Sequence, residues 1–283
     1  MGLRQVFFMP GTDDEAVYTL RRVPGPKKAG KYQLLEQFEY RDPVDGRVFT
    51  VPADCKTFET DLASIPFVAT WLVPKDGTHT PAALMHDSFM PRKGRAKQYL
   101  GPDISRVEAD VLFRRTMGYL GVAFLRRWMM WSTVTMASLC AWTPSRAFIY
   151  RLYYWVVVFG SLLFFGIGGV ANVLDLFDVV LHLPLMGRVR PTLPWMDDGP
   201  IGTELRNVGL WTGAAILVSL PLWLKHVLVG FIAAVGLSLF GFPLLIAAVG
   251  YGLYWLPELA IFLVGRLFGK DAAPPRLARR MSK

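Results

Sequence analysis

The pattern of apolar and polar positions changes character near residue 151. Before it, apolar residues fall into short alternations and helical stripes. Tyr32, Leu34, Glu36, Phe38 and Tyr40 alternate with mostly polar neighbours, which predicts a strand, and Asp42-Pro43-Val44-Asp45-Gly46 follows as turn chemistry. From Arg47 to Pro52 the alternation resumes with Val48, Phe49 and Val51, so the pair reads as a β-hairpin. A loop is expected from Thr60 to Pro66. Thr80 followed by Pro81 fits an N-cap and first helical residue, predicting a helix to about Met90. Ser105 and Glu108 stand at capping-box spacing and open a second helix to about Gly118. Strands followed by helices define the α+β class.

After Arg151 the pattern becomes a series of long uncharged runs. Leu152 to Leu174 carries no charge and opens with Tyr153, Tyr154 and Trp155, aromatic residues suited to headgroup depth. A second run extends from Asn207 to Leu224, and a third, His226 to Pro257, is too long for one perpendicular crossing of a core about 30 Å thick. That run must tilt, break or turn back, and Pro243 after Gly241 is the expected break, because proline removes a backbone donor. Leu259 to Val264 is a last apolar stretch. The chain thus divides into a soluble α+β domain at 1–151, a transmembrane helical region at 152–268 and a basic tail at 269–283, with three or four crossings.

Composition agrees with this division. Of 283 residues 53% are hydrophobic and only 19% charged, against roughly 25% in an ordinary soluble domain. Residues 1–151 hold 36 of the 53 charges, so the apolar excess belongs to the second half. The formal net charge of +9 is placed largely beside the apolar runs, at Arg126, Arg127, Arg146 and Arg151 and in the tail at Lys270, Arg276, Arg279, Arg280 and Lys283. Under the positive-inside tendency this favours both ends in the cytoplasm and an even number of spans. Met1 to Pro10 lacks the apolar core of a signal peptide, so export of the N-terminal domain is not expected. Two cysteines exclude a disulfide-stapled scaffold. Asp175 and Asp178, and the lone His182 and His226 at span ends, read as interfacial polar residues rather than as an ion path or metal ligands.

Candidate chemistry lies on the two predicted helices. Residues three, four and seven apart share a helical face, so Asp110 lies on a stripe with Phe113 and Met117, and His86 on one with Ala82, Met85 and Phe89. A carboxylate facing a core needs a donor or a metal. Packing the two stripes together brings His86 to Asp110, which would hold the imidazole in one tautomer and leave its second nitrogen as a base. The same pair also serves as a hydrogen-bonded fastener between helices, with no chemistry implied. Asp87 points to another side, where it either holds a metal or is solvated. The basic loop Arg92, Lys93, Arg95, Lys97 is either a solvated loop or a headgroup contact, each basic residue near an anionic surface contributing about 1 kcal/mol. It has no interleaved aromatics, which argues against nucleic acid.

Val51-Pro52-Ala53, the run Thr60-Asp61-Leu62-Ala63-Ser64-Ile65-Pro66, Ala82-Ala83 leading to His86-Asp87, and Ala109-Asp110 with Phe113 and Met117 together resemble domain-of-unknown-function family 1353 of phages and bacteria, over roughly residues 30 to 135. Two departures are Phe89, where the family usually has a tyrosine, and a longer segment at Asp54 to Glu59. The resemblance implies a bacterial setting, hence the plasma membrane, and supplies no reaction. The helix pair is also similar to the two-helix core of secreted and bacterial phospholipases A-two. That similarity implies His86 as the group activating water, Asp110 as its orienting partner and Asp87 as a calcium ligand. The Gly-rich calcium loop of those enzymes is absent here, and Asp61 is the candidate substitute ligand for calcium. Ser64 either caps the following helix or meets substrate.

Two functions follow as expectations. One is a membrane-anchored hydrolase of lipid esters, with the bilayer and its anionic lipids as partners. The other is a non-enzymatic membrane protein whose soluble domain is a structural or partner-binding module, the glycines at 230, 236, 241, 250 and 252 allowing its spans to pack closely with membrane-protein partners.

Overall fold

The computed structural model describes residues 4–24, 30–63, 65, 69–90, 97–141, 148–181 and 200–267, apart from the side chains at 177–179, 181 and 266–267. The chain divides into two compact units, residues 1–163 with 216–235, and residues 164–215 with 236–283.

The first unit opens with six short strands, β1 (Phe7–Phe8), β2 (Leu20–Arg22), β3 (Tyr32–Leu34), β4 (Phe38–Arg41), β5 (Val48–Val51) and β6 (Glu59–Thr60). They form two antiparallel three-stranded sheets, ordered β1-β4-β5 and β2-β3-β6. The predicted hairpin is present as β4 and β5, with Phe38 opposite Val51 and Tyr40 opposite Phe49. The single strand expected from Tyr32 to Tyr40 is instead two strands in different sheets. Leu34, Phe38 and Tyr40 keep the alternating burial, but at 35–37 the chain leaves one ladder for the other. The Leu35 amide donates to the Thr19 carbonyl, and the Gln37 side-chain amide donates to the Pro52 carbonyl at 2.8 Å. Alternation reports which face is buried; it does not report which strand is the neighbour.

Three helices complete this domain: α1 (Thr80–Phe89), α2 (Arg106–Tyr119) and α3 (Phe124–Cys140). The α2 cap is as expected, with the Ser105 hydroxyl accepting from the Glu108 amide at 3.2 Å. At α1 the expected cap moves by one residue. His79 occupies the N-cap position without a side-chain cap, and Thr80, already helical, turns back so that its hydroxyl donates to Asp76 Oδ1 at 2.7 Å and accepts from the Gly77 amide. The strands close over a core of Leu34, Phe38, Tyr40, Phe49, Leu84, Met85, Phe89, Ala109 and Leu112. A second cluster, including Ala82, Ala83, Phe113, Met117 and Met130, joins the three helices. Helix α3 carries no recognisable start signal, since Ala123 at its N-cap offers no side-chain acceptor.

Beyond α3 lie α4 (Phe148–Leu181), α5 (Ile201–Leu222) and α6 (Val227–Leu267), with a 3₁₀ turn at Leu224–His226 before α6. Three helices are long and apolar enough to cross a membrane, over Phe148–Leu176, Ile201–Leu222 and Leu224–Gly265, and they indicate membrane association. The break expected at Pro243 does not form, and α6 runs through both Pro243 and Pro257. In an apolar setting, unwinding a turn would expose several backbone groups at several kcal/mol each, whereas a proline forfeits one donor. At 41 residues α6 is about 60 Å long.

Within the first unit, Trp131, Leu139, Tyr154, Val157, Val158, Trp223 and Val229 form a buried cluster that fastens α3 to the opening of α4 and to the 216–235 segment. The Trp223 indole donates to Ser161 Oγ at 3.2 Å, and Tyr153 donates to the Leu222 carbonyl. Within the second unit, α4 and α6 approach through glycine. A Cβ at Gly169 would lie 2.5 Å from the Leu237 carbonyl oxygen and 2.9 Å from Ser238 Cα, so only a residue without a side chain permits this backbone contact.

Candidate functional site

Helices α1 and α2 pack against each other and position the two residues of the predicted pair. The small residues Ala82 and Ala83 of α1 and Ala109 of α2 are all nearly inaccessible. Met85 and Leu112 belong to the core under the strands and Phe113 to the cluster that joins the helices. As expected from the two stripes, His86 meets Asp110, with Nε2 2.7 Å from Oδ1. The imidazole also packs on Phe113 at 4.8 Å between ring centroids.

Exposure differs sharply across the pair. The Asp110 side chain is 1% exposed and that of His86 12%. The carboxylate is therefore enclosed, while solvent reaches the imidazole. With the carboxylate fixing Nε2 as the hydrogen-bond donor, the neutral ring has its acceptor lone pair on Nδ1. Asp110 Oδ2 is buried and has no hydrogen-bond partner among the described residues.

Asp87, next along α1, is half-buried, and its backbone carbonyl accepts from the Met90 amide. Asp61 follows β6 and forms an ion pair with Lys31 at 3.7 Å. Among the described residues no three His, Cys, Asp or Glu side chains gather in a way that could hold a metal ion. Calcium takes six to eight oxygens, and Asp61 and Asp87 alone do not supply such a set. Ser64, Arg92, Lys93 and Arg95 lie outside the described residues. Lys97 is described and engaged locally: it donates to the Gly101 carbonyl at 2.8 Å and to Asp103 at 2.9 Å, and lies 4.2 Å over the Tyr99 ring.

Other ionisable groups pack around the same helices. The fully buried Asp42 carboxylate is paired with Arg115 of α2 and accepts from the Val44 amide, tying the hairpin turn to the helix. Burial pushes the nearby Tyr40 phenol up to about 12. His79, buried at the start of α1, is held below its ordinary value of 6.5 first by burial and then by Arg126, against smaller opposing effects of the Pro74 carbonyl and Asp76. Sequence reasoning missed the Asp42–Arg115 pair, whose members are 73 positions apart with no shared local pattern.

The geometry defines a small α+β domain whose two helices present a His–Asp pair, followed by apolar helices of membrane-crossing length. Residues 32–134 match the family model for a protein of unknown function, DUF1353, which spans β3 to the middle of α3. No curated protein and no solved structure matches the chain.

Proposed function

We propose that this protein is a membrane-anchored hydrolase of lipid esters in which His86 is the general base and Asp110 its positioning residue. The 2.7 Å contact between an enclosed carboxylate and a partly exposed imidazole carries this reading. In the proposed step, His86 Nδ1 takes a proton from water as the oxygen attacks the ester carbonyl carbon. The carbon–oxygen bond to the alcohol then breaks, and the imidazolium returns the proton to the leaving alkoxide. A carboxylic acid and an alcohol result. Asp110 accepts from Nε2–H throughout and stabilises the transient positive charge. In this reading the apolar helices hold the domain at the cytoplasmic face of the bacterial plasma membrane, where the substrate is concentrated.

A second reading is favoured by the burial of Asp110 and the packing of the imidazole on Phe113: the pair is a fastener, and the domain is a structural or partner-binding module. Purified full-length protein in micelles, assayed for fatty-acid release from phospholipids and simple esters with and without calcium, separates the two. The hydrolase reading expects turnover that falls about 10²- to 10⁴-fold in His86→Ala and less in Asp110→Asn. No turnover by wild type, with His86→Ala lowering only thermal stability, leaves the fastener. Calcium dependence lost on Asp61→Asn or Asp87→Asn would assign those carboxylates a cation. Three crossings place the chain's ends on opposite faces and four keep them together, which labelling of a single cysteine placed in the tail distinguishes.

A further inference from the structure

A second cluster of functional side chains lies at the α2–α3 junction, away from the His–Asp pair. The Arg114 guanidinium stacks over Trp128 at 4.1 Å and lies 5.5 Å from the centroid of Trp131, both on α3. Arg127 of α3 lies with its Nη1 against Gly118, where any Cβ would collide with it. Gly118 is four residues beyond Arg114, so the two positions are neighbours on one face of α2. The charge of Arg127 acts on Arg114, so the two guanidinium groups share the α2–α3 junction. Neither makes an ion pair among the described residues, and the Nε of each is buried without a hydrogen-bond partner there. Burial, and then the charges of Arg127 and Arg115, hold Arg114 below the usual arginine value. Arg115 has Asp42 as its counterion; Arg114 and Arg127 have no equivalent among the described residues.

The surroundings indicate where a counterion would come from. Trp128 packs against the cluster of Trp131, Tyr154 and Trp223, which joins α3 to the ends of two helices of membrane-crossing length. Tryptophan and tyrosine at such ends favour the headgroup layer. At the start of α3, Phe124 is 68% and Leu125 50% exposed, and Arg127 lies 5.5 Å over the Phe124 ring. Exposed apolar residues beside unpaired cations describe a helix end seated in a lipid interface.

We propose that Arg114 and Arg127 form a binding site for a phosphate-bearing anion, supplied by the headgroup of an anionic phospholipid, with Trp128 as its aromatic floor and Phe124 and Leu125 entering the acyl boundary. Guanidinium forks bind phosphate oxygens by paired, charge-assisted hydrogen bonds. The site stands independently of any hydrolase activity.

The test titrates full-length protein in uncharged micelles with dihexanoyl phosphatidylglycerol, dihexanoyl phosphatidylcholine or inorganic phosphate at matched ionic strength, following tryptophan fluorescence and Tm. Phosphatidylglycerol is expected to bind at least about tenfold more tightly than phosphatidylcholine. Arg114→Gln and Arg127→Gln are each expected to weaken it about tenfold, the loss of one charge-assisted contact. Arg127→Lys, which keeps the charge without the fork, recovers part of the loss, and Arg21→Gln, whose side chain bonds Gln33 in the β2–β3 ladder, leaves binding unchanged. Should Arg114→Gln fail to fold, Arg127→Gln carries the test alone. Equal binding of the two lipids, or an Arg127→Gln midpoint within twofold of wild type, would overturn the site. Inorganic phosphate binding as tightly as phosphatidylglycerol would overturn the lipid as its source.

Discussion

The His86–Asp110 contact predicts that a second substitution restores most of the stability lost by the first. His86→Leu removes the donor to Asp110 Oδ1 and leaves both carboxyl oxygens of a 1% exposed side chain without a partner among the described residues. An orphaned buried polar group costs about 1–3 kcal/mol, and breaking a buried pair from one side about 3–5 kcal/mol. We take about 2–4 kcal/mol for this site, because solvent reaching the imidazole position relieves part of the penalty. Adding Asp110→Leu removes the orphan and sets an aliphatic group against the leucine at position 86, on the same stripe as Phe113, so the double variant is expected to lie within about 1 kcal/mol of wild type. Hydrogen exchange of the α1 and α2 amides, measured in the full-length protein in micelles, reads local opening directly. His86→Leu is expected to lower protection about 30- to 1000-fold, and the double variant to restore most of it. If the double variant exchanges as fast as His86→Leu, or if His86→Leu changes protection less than about threefold, the pair does not hold these helices together.

Two further outcomes test other parts of the domain. Gly101 has φ +128°, and a Cβ there would stand 2.6 Å from the Val48 carbonyl oxygen, beside the Thr50–Leu100 bridge, so Gly101→Ala is expected to destabilise the β5 edge by about 1–3 kcal/mol, read as faster exchange of the Thr50 and Leu100 amides. His79 is held below 6.5 when folded, so the unfolded chain binds a proton that the folded chain refuses; stability is unaffected well above 6.5 and falls as pH drops below it. Thermal scans from about pH 8 to about pH 5.5 should show a smaller acid loss in His79→Gln than in wild type, and equal slopes would refute the assignment.

How much was legible in the sequence depended on the range of the interaction. The α2 start was readable because Ser105 and Glu108 act across three residues. The His86–Asp110 contact was readable because each residue lies on an apolar stripe of its helix, and two such stripes on consecutive helices have few other partners. The strand break at 35–37 was not, since the burial alternation continues through it while the hydrogen bonds change neighbours. Helix α3 was hidden by the absence of a cap at Ala123. The proline in α6 suggested a break, but what decides it is the penalty of exposed backbone in an apolar medium, a property of the surroundings.

The sequence by itself determined the α+β character of the first half, the two amphipathic faces that carry His86 and Asp110, and the apolar runs of membrane-crossing length, because periodicity, capping and hydropathy act over a few residues. Only the tertiary structure decided that Phe7 pairs with Tyr40, that Arg115 neutralises Asp42, and that Arg114 stacks over Trp128 with no ion pair among the described residues. These are contacts between residues distant in sequence or on different helices, and they exist only once packing has chosen which faces meet.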